Sequence, residues 1–542
     1  MTDALSHLSA PVRDWFRATF SAPTAAQEGA WESIRNGNNT LIIAPTGSGK
    51  TLAAFLWALD ALHREHEAGT AGGTRILYIS PLKALGADVE RNLRAPLTGI
   101  TRLSGNNTGE PNISVGVRSG DTPARERRQL ISNPPDILIT TPESLYLMLT
   151  SAARNTLAGV TTVIVDEIHN LAATKRGAHL AVSLERLDAL LEKPAQRIGL
   201  SATVENPEAV ARFLGGIQPV TIMSRPVAKE LDLRLSVPVP DMAALGGAND
   251  YGQGLYAPSE MQGGGGSAST SSPVSAAQPI SSAASTPASA PYTLEDAIGV
   301  FPGQEAAQET GQANPERQGD TAAPKNTLTI PEEALLEGAL HEKALRDAPD
   351  SERPETSIWP RVQERIVDHI ENNRSTIVFV NSRGLAEKLT AALNDIHLHR
   401  VLAKQGISPE DYAAGICDIA EVPPLARAHH GSVSKEQRTL IEEALKGGTL
   451  RCVVATSSLE LGIDMGHVDL VVQVAAPPSV ASALQRVGRA GHRVGEISRG
   501  FFYPKHRGDL LGATVTLAGM RSGTLEPLAI PTNPLDVLAQ QT

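Results

Sequence analysis

Lys50, Asp166 and Glu167 are the residues whose types and surroundings point most directly to phosphate chemistry. Ala44-Pro45-Thr46-Gly47-Ser48-Gly49-Lys50-Thr51 follows the apolar run LIIA (41–44) and precedes the helix-like TLAAFLWALDALH. A strand that turns through glycines into a helix N-terminus presents backbone N–H groups and positive potential to an anion. Gly47 and Gly49 let the backbone close around phosphate, with Thr46 and Ser48 completing the loop. Lys50 would reach the β/γ-phosphates of a nucleotide, and Thr51 would bind Mg²⁺. The first glycine of the usual pattern is Ala44 here. Asp166-Glu167-Ile168-His169 follows a second apolar run, TTVIV. Paired carboxylates at a strand end are what metal-nucleotide hydrolysis needs: Asp166 to hold Mg²⁺ and Glu167 to orient and deprotonate the attacking water. His169 is read as a coupling residue and not as a base.

These groups need a frame, and the chain alternates to supply one. Short apolar runs (RILYIS 75–80, DILITT 136–141, TTVIVDE 161–167, QRIGLSAT 196–203) are separated by amphipathic stretches such as AHLAVSLERLDALL (178–191). That rhythm predicts βαβ units and parallel sheets. It lapses over 240–330, where Gly, Ser, Ala and Pro dominate, and returns with STIVFVN (375–381), LRCVVAT (450–456) and VDLVVQV (468–474). The expected fold is α/β, with two tandem parallel-sheet domains at 1–235 and 351–525. Between them, 236–350 is expected to be a disordered, length-tolerant linker or insert. LEPLAIPTNPLDVLAQQT starts a short helix with Asn533 as cap and Pro534 at its first position. It is expected either to dock on the second lobe or, as preferred here, to begin a further, truncated domain (526–542).

Composition sets wide bounds. The 542 residues suit two to four domains, and 41 % hydrophobic but only 4 % aromatic content implies aliphatic cores of the kind parallel sheets bury. Two cysteines, Cys417 and Cys452, sit in no close pair or His cluster, so neither a disulfide framework nor a zinc site is expected. A net charge of −11 argues against a simple basic nucleic-acid binder, but leaves room for a motor that grips strands with amides, hydroxyls and a few cations. Without a leader-like or membrane-length apolar stretch, a cytoplasmic protein is the expectation.

Further motifs give the chain a family resemblance. Phe20-Ser21-Ala22-Pro23-Thr24-Ala25-Ala26-Gln27, SPLKAL (80–85), RSGDT (118–122), TTPESL (140–145), Ser201-Ala202-Thr203, IVFVNSR (377–383), HHGSVS (429–434), ATSSLELGIDMG (455–466) and QRVGRAGHR (485–493) come in the order of superfamily 2 helicases. The set DEIH, TTPESL, SSLELGID and QRVGRAGH looks most like the large helicase-related (Lhr) family of DNA-repair helicases. The resemblance covers about 20–235 and 355–540, and it implies that the two domains are RecA-like and that a winged-helix domain begins at 526–542. It implies a DNA-dependent ATPase that tracks 3′-to-5′ on single-stranded DNA and unwinds DNA:DNA or DNA:RNA duplexes, with ATP and Mg²⁺ as cofactors. It also implies Gln27 on adenine, Asp464 on ribose, and Arg489 as arginine finger with Arg486 as the second candidate. The usual final arginine of that motif is His492 here, with Arg493 next. Ser201, Thr203 and Gln485 join His169 in coupling. Strand contacts fall to Pro81, Leu82, Lys83, Arg118, Asp121 and Thr141 in the first lobe, and to Asn381, Ser382, Arg383, His430, Gly431 and Thr456 in the second. An ATP-gated clamp or remodeller, an RNA helicase and a nucleotide-responsive scaffold stay open as alternatives.

Overall fold

The computed structural model describes residues 4–45, 47–70, 72–105, 113–224, 230–239, 242, 357–415, 422–461, 465–491 and 496–542. Within these, the first sheet comprises β1 (Asn39–Ile43), β2 (Ile76–Ile79), β3 (Val115–Arg118), β4 (Ile137–Thr140), β5 (Thr162–Val165), β6 (Gln196–Ser201) and β7 (Val220–Ser224), in the order β3-β4-β2-β5-β6-β1-β7. The second comprises β8 (Leu231–Leu235), β9 (Thr376–Phe379), β10 (Ala426–His429), β11 (Cys452–Ala455), β12 (Leu470–Val474) and β13 (Ser498–Tyr503), ordered β10-β11-β9-β12-β13-β8. Neighbouring strands in both sheets pair parallel. The strands are short and apolar because helices cover both faces: every residue of ILYI and ILIT is buried. One face of the first sheet puts Ile42, Tyr78 and Ile139 against Phe55, Leu56 and Leu59 of the helix Lys50–Glu67. The other packs Leu41, Leu77 and Val165 with Leu180 and Leu184 of the helix Lys175–Asp188.

Sheet order sorts the chemistry. In the first lobe β5, β6 and β1 are neighbours, and the phosphate loop, the paired carboxylates and Ser201-Ala202-Thr203 leave their C-terminal ends. On the other side, β3, β4 and β2 end in Arg118, Thr140 and Ile79, directly before the stretches expected to grip a strand. The C-terminal edge of a parallel sheet is where loops converge and ligands bind.

Two expectations about organisation need correction. The first lobe was expected to run to 235, but Leu231–Leu235 pairs with β13, with Leu233 opposite Gly500. The second sheet therefore takes its edge strand from before the low-complexity segment. That segment lies almost wholly outside the described residues. Its flanks are informative: Val237, Val239 and Met242 on one side and Ile358 and Trp359 on the other pack into the same second-lobe cluster. It is thus an interruption of the second lobe and not a spacer between lobes.

The C-terminal stretch corrects one of its two expectations, docking on the second lobe. Leu525 packs on the second lobe's core, whereas Leu528 and Ile530 pack on the first lobe's. The helix Leu535–Gln541 then seats on the first lobe. Val537 is buried, Tyr146 Oη donates to Gln540 O at 2.7 Å, and Arg186 donates to Gln541 O and Oε1 at 2.8 and 3.0 Å. Gln541 Nε2 donates to Ser183 Oγ at 3.0 Å, and Lys175 pairs with Asp536 at 2.6 Å. A two-turn helix is too short to be stable alone, so these contacts account for its order. Among the described residues, no helix is long and apolar enough to cross a membrane.

Candidate nucleotide cleft and strand path

The loop from β1 turns through Gly47 and Gly49, at φ of 82° and 80°. A Cβ on Gly49 would also press on the end of the Gln27 side chain, 2.6 Å from Nε2. Gln27 itself closes a capping box with Thr24: Thr24 N donates to Gln27 Oε1 at 2.9 Å, and Gln27 N to Thr24 Oγ1 at 3.3 Å. Its Nε2 donates to Gly49 O at 3.4 Å, and Thr24 Oγ1 to Ser48 O at 3.0 Å. The helix that carries Gln27 therefore braces the loop from outside. Ser48 Oγ donates back to Pro45 O at 2.7 Å. Thr51, in the first turn of Lys50–Glu67, is exposed. Thr46 lies outside the described residues.

Lys50 is buried, with Nζ donating to Ala44 O at 2.5 Å. Burial pushes its pKa down, while the charges of Glu167 and Asp166 hold it up. Asp166 receives Tyr78 Oη on Oδ2 at 2.5 Å and Glu167 N on Oδ1 at 2.9 Å. Burial and the neighbouring Glu167 charge push its carboxyl up to about 7, against the opposing pull of Tyr78 and Lys50. Glu167 sits at φ 44°, ψ 42°, a left-handed conformation that costs a non-glycine residue about 1–3 kcal/mol. The kink leaves its buried Oε2 without a hydrogen bond. A buried, unsatisfied carboxylate oxygen beside a lysine and a second carboxylate is arranged for a polar ligand rather than for stability.

This cluster makes a stability prediction. A carboxyl whose pKa rises on folding favours the protonated form in the native state. Above both pKa values, the native state carries a buried charge that the unfolded chain would solvate. Its penalty therefore grows as pH rises from about 4 to about 7. Without nucleotide or Mg²⁺, Asp166→Asn should raise the melting temperature at pH 8 by at least about 2–4 °C, the effect of ~1 kcal/mol in a domain of this size. The gain should disappear below pH 4; an equal gain at both pH values in a melting scan would contradict the electrostatic origin.

The same cleft is closed from the second lobe. His169 is buried, and burial pushes its pKa down. Its Nδ1 accepts from Ala202 N at 3.2 Å and lies 3.3 Å from Ser201 Oγ. Its Nε2 lies 2.6 Å from Gln485 Nε2, 3.0 Å from Asn170 Nδ2 and 3.5 Å from Glu167 Oε2. One imidazole thus touches Glu167, the strand end after β6 and the facing lobe. Thr203 is exposed two residues beyond Ser201.

Gln485 lies on the helix Val480–Val487, with Arg486 beside it and Arg489 just past its end. The two arginines, first and second candidates by motif, have different surroundings. Arg486 is held within its own lobe: it ion-pairs with Glu460 at 3.0 Å, donates to Asn381 Oδ1 and Gln473 Oε1 at 3.0 Å each, and lies over the Phe379 ring at 5.4 Å. The reading of Arg486 as an alternative finger therefore gives way to a structural hub that joins three strand ends. Arg489 donates to Glu460 O at 2.9 Å, and its charge acts on Lys50 across the cleft. Asp464, His492 and Arg493 lie outside the described residues.

The expected strand contacts are dispersed along the C-terminal edges. In the first lobe, Pro81 offers its carbonyl to Arg176 Nη1 at 2.6 Å, Leu82 caps the helix Lys83–Leu103, and exposed Lys83 pairs with Asp121 at 2.6 Å. Arg118 ends β3; burial and the nearby Arg127 charge lower its pKa. Thr141 caps the helix Pro142–Leu149 through Ser144 N at 3.4 Å. In the second lobe Asn381 holds Ala476 O at 2.7 Å as well as Arg486. Ser382 caps the helix Arg383–Gln405, and Arg383 reaches Ser432 Oγ at 3.0 Å beside Gly431. Thr456 begins the turn after β11. His430 is buried, with Nδ1 accepting from Ser432 N at 3.3 Å and Nε2 2.7 Å from Glu387. Both ring nitrogens are committed, so its side chain shapes the loop and leaves Gly431 and Ser432 to face outward.

Sequence reading missed Tyr78, which grips Asp166 from a strand interior where it reads as core. It also missed Arg176, which forks onto both carboxylate oxygens of Glu143 while holding Pro81 O. Arg176 thereby fastens the loop after β2 to the helix after β4. Its only local signal is the Lys-Arg-Gly run seven residues after His169.

Comparison with known proteins agrees with this geometry. A DEAD/DEAH box helicase model matches residues 24–210, and a helicase conserved C-terminal domain model matches 422–494. The Lhr helicase/uracil glycosylase of Escherichia coli is 47 % identical across 98 % of this chain. The chain belongs to the Lhr family of helicases. It covers 30 % of that relative and 47 % of the ATP-dependent helicase Lhr-Core of Methanothermobacter thermautotrophicus, which is 34 % identical across 98 % of this chain. It thus spans less than half the length of these curated Lhr relatives. A solved Lhr helicase structure from Mycobacterium smegmatis, bound to ssDNA and AMP-PNP, is 51 % identical with a TM-score of 0.71, covering 99 % of this chain and 53 % of that one. The two parallel sheets are accordingly the two RecA-like lobes of the Lhr motor fold.

Proposed function

We propose that this chain is an ATP-hydrolysing, nucleic-acid-dependent motor that moves 3′-to-5′ on single-stranded DNA and separates DNA:DNA or DNA:RNA duplexes in DNA repair. One observation carries the reading: the His169–Gln485 contact at 2.6 Å joins the carboxylate cluster of one lobe to the arginine-bearing helix of the other. The M. smegmatis relative, bound to ssDNA and AMP-PNP, supports both the nucleotide and the strand.

In this reading the triphosphate lies on the loop amides of 46–51, with Lys50 shared between the β and γ groups and Asp464 on the ribose. Gln27 reads adenine in the family pattern, and here its amide also braces Gly49. The residues fit Mg²⁺: Asp166 supplies a carboxylate and Thr51 an exposed hydroxyl, as suits an ion that takes most of its ligands from phosphate and water. Bound there, Mg²⁺ would neutralise phosphate charge. Glu167 orients and deprotonates the attacking water through the oxygen left unpaired, and Arg489 faces the γ-phosphoryl charge. His169, Ser201, Thr203 and Gln485 report the state of that site to the facing lobe. Loop amides, hydroxyls and the cations Lys83, Arg118 and Arg383 hold strand phosphates without reading sequence. Closing and opening of the cleft then shifts one grip relative to the other.

Single-stranded DNA should raise ATP turnover by about an order of magnitude or more, equivalent to ~1.4 kcal/mol gained in aligning the lobes. A coupled ATPase assay with and without oligonucleotide measures this, and an unchanged rate would remove the motor reading. Strand displacement on 3′- and 5′-tailed DNA:DNA and DNA:RNA duplexes then tests direction and substrate. Stimulated hydrolysis without displacement of any substrate would leave an ATP-gated clamp.

A further inference from the structure

The helix Val480–Val487 carries Gln485 and Arg486 and leads directly to Arg489, so its position sets how the second lobe meets the nucleotide. Its N-terminus is finished from outside the helix. Glu526 takes Val480 N on Oε1 at 2.5 Å and Ala481 N on Oε2 at 3.4 Å, while Ser479 Oγ takes Ser482 N at 3.0 Å. Glu526 thus satisfies donors that a helix start leaves open, with the charge sign the helix dipole favours.

What distinguishes Glu526 from an ordinary cap is the segment it stands on. Just before it, Leu525 packs on the second lobe; just after it, Leu528 and Ile530 pack on the first. A few residues on, the terminal helix is fixed to the first lobe by Arg186 and Lys175. The segment 525–541 is therefore a strap, anchored on the first lobe, whose carboxylate holds the start of the finger helix.

We infer that Glu526 is a positioning residue for Arg489, and that the strap passes the docking of the terminal helix on the first lobe to the arginine side of the nucleotide cleft. This rests on the motor reading above, because its readout is ATP turnover. The strap adds a second connection between the lobes beside His169–Gln485, and it reaches the opposite end of the same helix.

A double-substitution cycle on the full chain tests this. Glu526→Ala removes the cap, and Arg186→Ala loosens the terminal helix from the first lobe without touching Glu526. Each should lower the DNA-stimulated kcat by about 3- to 10-fold, with KM for ATP changed less than about twofold, because the phosphate loop is untouched. If the strap transmits, the two losses share one route, and the double variant should fall clearly short of the product of the single effects. A double loss within about twofold of that product, or either single substitution reducing kcat less than about twofold, overturns the proposal. Glu526→Gln, which keeps a carbonyl acceptor, should restore at least part of kcat relative to alanine, and no restoration also overturns the proposal; should Glu526→Ala fail to fold, the Arg186→Ala loss of kcat decides alone. Failure of the motor reading is separate: it appears as a wild-type chain without DNA-stimulated turnover.

Discussion

Arg489→Ala should lower DNA-stimulated ATP turnover by about 10³–10⁵, the effect of removing an arginine that neutralises charge on a transferring phosphoryl group. The scale follows from placement. Arg489 is buried, projects from the end of the helix whose Gln485 touches His169, and acts electrostatically on Lys50. A guanidinium in a cleft that excludes water acts at low dielectric and needs little reorganisation as charge develops. Arg489→Lys should recover little, since an ammonium on a flexible stem does not reproduce a planar fork fixed on Glu460 O. Arg486→Ala should instead lower melting temperature, because it strands Glu460 and loosens Asn381 and Gln473. Single-turnover hydrolysis with saturating ATP and single-stranded DNA measures the first effect. A loss under about tenfold would move the finger to another residue.

Glu167→Gln should keep nucleotide binding and lose about 10²–10⁴ in hydrolysis, the usual contribution of a positioned general base. The substitution is nearly isosteric, so the left-handed turn at Glu167 and the Asp166–amide bond it supports should persist. It replaces an unpaired carboxylate oxygen, 3.5 Å from His169 Nε2, with an amide that cannot take a proton from water. Fluorescent-nucleotide binding beside ATPase rates separates the two effects. Turnover near wild type would remove Glu167 as the base; lost binding would make its role structural.

Much of this cleft was legible in the sequence because its signals are local. Strand, glycines, lysine and helix follow one another within fifteen residues, and Asp166-Glu167 directly ends a strand. What was not legible depended on contacts distant along the chain. Arg486 and Arg489 stand three apart in one motif; only the partners Asn381, Glu460 and Gln473, brought together by strand order, tell them apart. His430 looked like a strand contact until Glu387, 43 positions earlier, was found on its ring. Leu231–Leu235 reads as the last strand of a first domain because nothing local reveals that its partner is Ser498–Tyr503. The C-terminal helix carried no mark of its destination, since Tyr146, Lys175 and Arg186 lie more than 350 positions upstream.

The interruption of the second lobe bears on how the long polar segment after Met242 experiences the working cycle. Both its ends are rooted in one aliphatic cluster, so lobe motion does not pull them apart. In the proposed motor, mechanical load would fall instead on the crossing between Ser522 and Leu535, where the chain leaves the second lobe's core at Leu525 for the first lobe's at Leu528.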